Sequence, residues 1–157
     1  MKTTVGVLAF HGDVREHIEA TILAVKKLHA SISVIPVRTK KELHTCLALI
    51  MPGGESTTLA KLSEREHMFE DMKRIPYLFG TCAGAILLAK HVLHKEPDQK
   101  TLQRMDIAVD RNAYGRQAES FEKPITTTLG PVNAVFIRAP KIITVGKNVT
   151  ILAKDDE

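Results

Sequence analysis

The 157-residue sequence predicts an α/β fold, a doubly wound and mostly parallel sheet with an added antiparallel portion. Three observations support it. Residues 4–9 and 47–51 are nearly continuous apolar runs, as expected of strands buried on both faces of a parallel sheet. Between them, strand-like and helix-like patterns alternate in the rhythm of βαβ units. Further on, a short apolar strand runs from Ile75 into Gly80-Thr81-Cys82-Ala83-Gly84 and then into a helical pattern reaching Lys90.

In chain order, the strand at 4–9 ends at Phe10-His11-Gly12-Asp13, and Asp13 can cap a helix over 14–29. Val14, Ile18, Ile22, Val25 and Leu28 fall on one stripe of that helix. Residues 31–36 form a second strand, stopped by Pro36. A short helix over 40–46 and a third buried strand over 47–51 follow. Next comes Pro52-Gly53-Gly54-Glu55-Ser56-Thr57-Thr58, with Ser56 or Thr57 placed to cap helical pieces over 59–73 that break near Ser63. Pro97-Asp98 marks a loop, and residues 105–110, 125–129 and 133–137 read as strands. Residues 142–145 and 149–152 read as another strand pair about the turn at Gly146-Lys147-Asn148.

Composition sets the outer limits. At 44% hydrophobic content the chain fills one domain, taken as 1–157, and is too short for two ordinary ones. No apolar run approaches a membrane span and no signal peptide precedes the first strand, so a cytoplasmic protein with no membrane partner is expected. The net charge of +4 is scattered and aromatic content is only 4%, which argues against nucleic acid as a partner. Cys46 and Cys82 are expected as reduced thiols.

Ligands of doubly wound sheets collect beyond the carboxyl ends of the strands, and two such ends carry chemistry here. Small residues around Cys82 permit a sharp turn and leave little bulk over the sulfur, the cysteine form of a nucleophile elbow. At a helix N-terminus the thiolate is favoured, and the Ala83 N–H points where an oxyanion would form. The alternative is a buried core cysteine. Gly53 and Gly54 can present further N–H groups to an anion or carbonyl oxygen, although Gly-Gly turns are common. Together the two loops supply a nucleophile and a second oxyanion donor, as acyl transfer requires.

The blocks Leu49-Ile-Met-Pro-Gly-Gly-Glu-Ser-Thr-Thr58, Phe79-Gly-Thr-Cys-Ala-Gly-Ala-Ile86, Asp110-Arg-Asn-Ala-Tyr-Gly-Arg-Gln117 and Val135-Phe-Ile-Arg-Ala-Pro140 resemble the glutaminase subunits of pyridoxal phosphate synthases, class I glutamine amidotransferases of flavodoxin-like fold. The segment His11-Gly-Asp-Val-Arg-Glu-His17 looks like that family's first loop. The resemblance implies hydrolysis of L-glutamine to glutamate and ammonia, with Cys82 as nucleophile and the N–H groups of Gly54 and Ala83 as oxyanion hole. It further implies substrate contacts at Gly54, Glu55, Ser56, Arg111, Ile137 and Arg138, with no metal and no cofactor. An arginine fork suits a substrate carboxylate, while surface or strand-edge charge is the other reading of Arg111 and Arg138. The implied partner is a barrel-shaped synthase subunit that receives the ammonia in vitamin B6 biosynthesis.

One part of the pattern is missing. The family activates its thiol with a histidine oriented by a glutamate two residues later, in a His-Pro-Glu segment near the C-terminus, and no such C-terminal segment stands in this sequence. The domain is therefore expected to be incomplete at that end. A catalytically impaired homologue that still binds the synthase subunit becomes the alternative function. The seven histidines are His11, His17, His29, His44, His67, His91 and His94. His11 and His17 lie near the end of the first strand, either approaching the site or serving as loop and helix surface. His91 and His94 have a metal-compatible spacing but no visible third ligand, and a solvated helix end accounts for them.

Overall fold

The computed structural model describes residues 3–113 and 120–154. Its first half runs β1 (Thr3–Leu8), α1 (Val14–Lys27), β2 (Ile32–Val37), α2 (Lys40–Leu43), β3 (Ala48–Met51), α3 (Ser56–Arg65), α4 (Phe69–Met72), β4 (Tyr77–Gly80) and α5 (Ala83–Leu88). The four strands form one parallel sheet of order β2-β1-β3-β4. Val5 pairs with both Val34 and Ala48, and Met51 pairs with Gly80, so the loops after β1, β3 and β4 leave the same edge. After β1 the chain crosses to β2 on one side and then returns to β3 on the other. The strand order therefore reverses between β1 and β3, the crevice where such sheets bind ligands.

The main core lies on one face of this sheet. Leu8, Val37, Leu49 and Met51 meet Leu43 of α2, Leu59 of α3, Met72 of α4 and Leu87 of α5, with Met68 just before α4. The opposite face is thinner. α1 packs against β1 and β2, yet none of its residues is fully buried, and Leu28 at its end is 76% exposed. Burial in β3 alternates, with Leu49 and Met51 closed off and Ala48 and Ile50 half open. On β4, Tyr77 and Phe79 face solvent. The expectation of strands buried on both faces thus holds for the helix-covered side alone, because among the described residues no helix lies over β3 and β4 on the other.

Several expected boundaries move for local reasons. Pro36 lies inside β2, paired with Val7, because β2 is an edge strand and the missing N–H interrupts no inner ladder. Ser63 does not break its helix; its hydroxyl donates to the Leu59 carbonyl at 2.8 Å and α3 continues to Arg65. α5 does not reach Lys90. Its C-cap residue Ala89 is already extended, at φ −63° and ψ 144°, and starts β5 (Ala89–Leu93), so His91 lies on a strand and His94 follows one.

The second half adds β6 (Met105–Asp110), β7 (Phe121–Thr127), β8 (Gly130–Phe136) and β9 (Lys141–Val145). β5 and β6 are parallel, β6 and β9 antiparallel, and β7 and β8 form a separate antiparallel hairpin with Phe121 stacked on Phe136. A small second core of Ile86, Ala89, Ile107 and Val109 joins α5 to this sheet. Residues 149–152 are not a strand. Gly146 instead donates its N–H to the Asp106 carbonyl, and the following chain crosses to the hairpin, where Thr128 N–H meets the Leu152 carbonyl at 2.8 Å. Among the described residues no helix is long and apolar enough to cross a membrane.

Candidate active site

Three loops meet at the switch point: 9–13 after β1, 52–55 after β3, and the turn at Thr81 and Cys82 after β4. Gly12 fits beneath the diglycine because it has no side chain and adopts φ +89°; an added Cβ would overlap the Gly53 carbonyl. Gly84 is held as closely. A Cβ there would overlap the Met51 carbonyl oxygen and lie 2.9 Å from Met51 Cβ. Thr81 N–H donates to the same carbonyl at 3.2 Å, so the turn is sewn to the end of β3.

Cys82 takes φ 46° and ψ −108°, an unfavourable conformation for an L-residue. That is the strained strand-to-helix turn of a nucleophile elbow. The residue is partly exposed and its thiol is free. A Cβ built on Gly53 would stand 3.4 Å from Cys82 Cβ and 3.0 Å from Asp13 Oδ1. One built on Gly54, at φ +136°, would stand 3.0 Å from His11 Cδ2. The diglycine, the cysteine, Asp13 and His11 therefore lie side by side at this edge of the sheet. Ala83 is the first residue of α5, a position whose N–H has no intrahelical acceptor.

Neither expected cap is the one used. Glu55, extended at φ −100° and ψ 115°, caps α3, and its carboxylate accepts from Thr57 N–H at 2.9 Å and Thr58 N–H at 2.6 Å. The Thr58 hydroxyl adds a bond of 2.7 Å. Burial pushes this carboxyl up, but the Thr58 hydroxyl and the two backbone N–H groups outweigh it and hold the carboxyl at about 2. At Asp13, the N-cap of α1, the side chain makes no capping bond and faces the diglycine instead.

Arg111 is brought to this loop by β6. Its Nη2 donates to Glu55 Oε1 at 2.6 Å, and its Nη1 donates to Thr57 Oγ1 at 3.1 Å and to Gln99 Oε1 at 3.2 Å. The guanidinium thus clasps the Gly-Gly-Glu loop from behind. Ser56 is 2% exposed, and its Oγ has no hydrogen-bond partner among the described residues. Ile137 and Arg138 follow β8 and are exposed, Arg138 at φ 45°. Among the described residues Arg138 makes no hydrogen bond or ion pair, whereas Arg111 is bonded to the loop after β3. Tyr114 to Gln117 of the third resemblance block lie outside the described residues.

None of the seven histidines hydrogen-bonds the Cys82 sulfur among the described residues. Two His-x-Glu triplets do occur, at His17 and at His94, but neither forms a dyad. On α1, positions two apart point in different directions, and Glu19 is paired with Arg15 at 2.7 Å. His94 is paired with Asp110 at 2.9 Å. Among the described residues no group of three or more His, Cys, Asp or Glu is gathered to hold a metal.

Sequence reasoning missed the polar partners around the loops. His17 Nε2 lies 2.9 Å from Thr81 Oγ1, and Gln99 is buried behind Thr57. These pairs lie 64 and 42 residues apart in the chain, so no local pattern could reveal them.

Comparison with known proteins agrees with this geometry. Residues 7–157 match the model of the SNO glutamine amidotransferase family. A pyridoxal 5'-phosphate synthase subunit PdxT from Pyrococcus horikoshii is 47% identical over 145 residues, spanning 88% of this chain and 74% of that protein. The PdxT of Thermus thermophilus is 47% identical over 160 residues, spanning 98% of this chain and 80% of its own. A solved structure described as a glutamine amidotransferase superposes with a TM-score of 0.81 at 44% identity, covering 96% of this chain and 79% of that one. With a strained cysteine elbow facing a diglycine loop at the switch point of a parallel sheet, this chain belongs to the SNO glutamine amidotransferase family.

Proposed function

We propose that this chain is the glutaminase subunit of a pyridoxal 5'-phosphate synthase and acts on L-glutamine at Cys82. The observation that carries the reading is Cys82 at φ 46°, with the position of a Gly53 Cβ only 3.4 Å from its own. A carboxamide placed there has the sulfur on one side and backbone donors on the other. The thiolate attacks the side-chain amide carbon, and the C–N bond breaks as the nitrogen takes a proton and leaves as ammonia. Water then cleaves the γ-glutamyl thioester to glutamate and regenerates the thiol. The N–H groups of Gly54 and Ala83 stabilise the oxyanion of both tetrahedral intermediates. Glu55 and Ser56 contribute to the substrate loop, and Arg111 holds that loop through Glu55 and Thr57. Ile137 and Arg138 belong to the glutamine site by family likeness, and ammonia passes to a barrel-shaped synthase subunit.

A specific observation favours a second reading, that of a catalytically impaired chain that docks on the synthase subunit and holds glutamine. Among the described residues the thiol has no histidine partner, and loss of a general base costs orders of magnitude in turnover. Glutamate release, measured with and without the synthase subunit, separates the two. Turnover that disappears in Cys82→Ala supports the enzyme. Absence of turnover, with synthase binding retained and glutamine slowing alkylation of Cys82, supports the binding module. If glutamine neither turns over nor protects the thiol, both readings fail.

A further inference from the structure

We propose that His17 is a positioning residue for the nucleophile, bracing the Cys82 elbow through the hydroxyl of Thr81. The inference rests on the reading of Cys82 as the nucleophile. His17 lies in the second turn of α1, and its ring is 16% exposed, wedged between that helix and the end of β4. Its Nδ1 is 2.8 Å from the Asp13 carbonyl oxygen and 3.4 Å from Asp13 Oδ2, while its Nε2 is 2.9 Å from Thr81 Oγ1. A carbonyl oxygen can only accept, so Nδ1 carries the proton of the neutral ring. Nε2 is then the acceptor, and the Thr81 hydroxyl donates to it. One imidazole thus joins the loop after β1 to the residue immediately before Cys82.

The elbow requires such a tie. A residue held at φ 46° and ψ −108° persists only where its surroundings over-determine it. The backbone supplies three bonds: Thr81 N–H to the Met51 carbonyl, Gly84 N–H to the Thr81 carbonyl, and Ile86 N–H to the Cys82 carbonyl. Cys82 caps α5 with no side-chain bond. Among the described residues, the bond from Thr81 to His17 is the only side-chain hydrogen bond that reaches residues 80–84. It also links the elbow to Asp13, whose carboxylate borders Gly53, so nucleophile and diglycine are referenced to the same helix start.

The chemistry separates a brace from bulk packing. In His17→Gln, the amide oxygen reaches about where Nε2 stands and can accept the Thr81 hydroxyl. In His17→Asn, the amide nitrogen replaces Nδ1 and keeps the Asp13 bond but falls short of Thr81. Thr81→Val removes the same bond from the other side with almost no change of volume, and it serves if His17→Ala does not fold.

Two measurements on the full chain test the brace. The first is amide hydrogen exchange at Thr81, Gly84 and Ile86. Loss of one hydrogen bond should speed exchange there by about five- to tenfold in His17→Ala, His17→Asn and Thr81→Val. His17→Gln should stay within about twofold of wild type. The second is the rate at which a diazo-ketone analogue of glutamine labels Cys82, which should fall by about the same factors in the same variants. Unchanged exchange in both His17→Ala and Thr81→Val overturns the proposal, as does equal behaviour of the Gln and Asn variants. Failure of the analogue to label even the wild-type thiol overturns the glutamine reading instead, and the exchange data still decide the brace.

Discussion

Replacing Glu55 tests the way the diglycine loop is held. Its carboxylate caps α3 through two backbone N–H groups and the Thr58 hydroxyl, and also receives Arg111 at 2.6 Å. Loss of an N-cap costs about 1 kcal/mol. The Arg111 side chain is only 19% exposed, so stranding its charge adds about 1–2 kcal/mol. Glu55→Ala should therefore destabilise the chain by about 2–3 kcal/mol, lowering Tm by roughly 4–12 °C in a domain of this size. Glu55→Gln keeps an acceptor and removes the charge, at a cost of about 1 kcal/mol.

The charge makes the difference depend on pH in a definite direction. The folded carboxyl sits at about 2, below its ordinary 4.5, so its contribution is complete above that ordinary value and is lost as pH falls towards 2. The Glu55 side chain is 42% exposed, and solvent screening reduces this contribution to about 1–2 kcal/mol. Thermal melts of wild type and Glu55→Gln should differ most near neutral pH and converge as the pH is lowered to about 3. A Glu55→Ala protein melting within about 1 °C of wild type, or a gap that widens in acid, would refute the loop energetics.

Two further outcomes follow from the packing around the cysteines. Limited alkylation with iodoacetamide, followed by peptide mapping, should modify Cys82 well before Cys46. Cys46 is 8% exposed, donates to the Glu42 carbonyl at 3.4 Å, and has its thiol pushed up by burial. Equal labelling would contradict the exposure of the elbow. Gly84→Ala should cost about 3 kcal/mol in urea unfolding, because its Cβ would collide with the backbone of Met51 and α5 would have to lift from β3. A substitution tolerated without loss would show that the two loops are less tightly joined than described.

Much of the site was legible in the sequence because its signals are local. Gly80-Thr81-Cys82-Ala83-Gly84 between an apolar strand and a helical run can hardly be anything but a tight turn, and the structure places Cys82 there at φ 46°. The diglycine after β3 was equally readable, and so was the βαβ rhythm that sets both loops at one edge of the sheet. Periodicity misled where burial was inferred from composition. The apolar stripe of α1 predicts a covered helix, yet no residue of α1 is fully buried. A hydrophobic pattern records which face prefers burial and says nothing of what lies opposite it.

What local sequence determined here is the tight turn that carries Cys82 and the diglycine bend beside it, since backbone reversal at small residues is decided within a few positions. The tertiary structure alone decided the partners of those bends. The Glu55 carboxylate came to cap α3 and bind Arg111, and His17 came to rest on Thr81. Such contacts depend on strand order and on the angle at which each helix leaves its sheet. These are properties of the assembled core and of no single stretch of the chain.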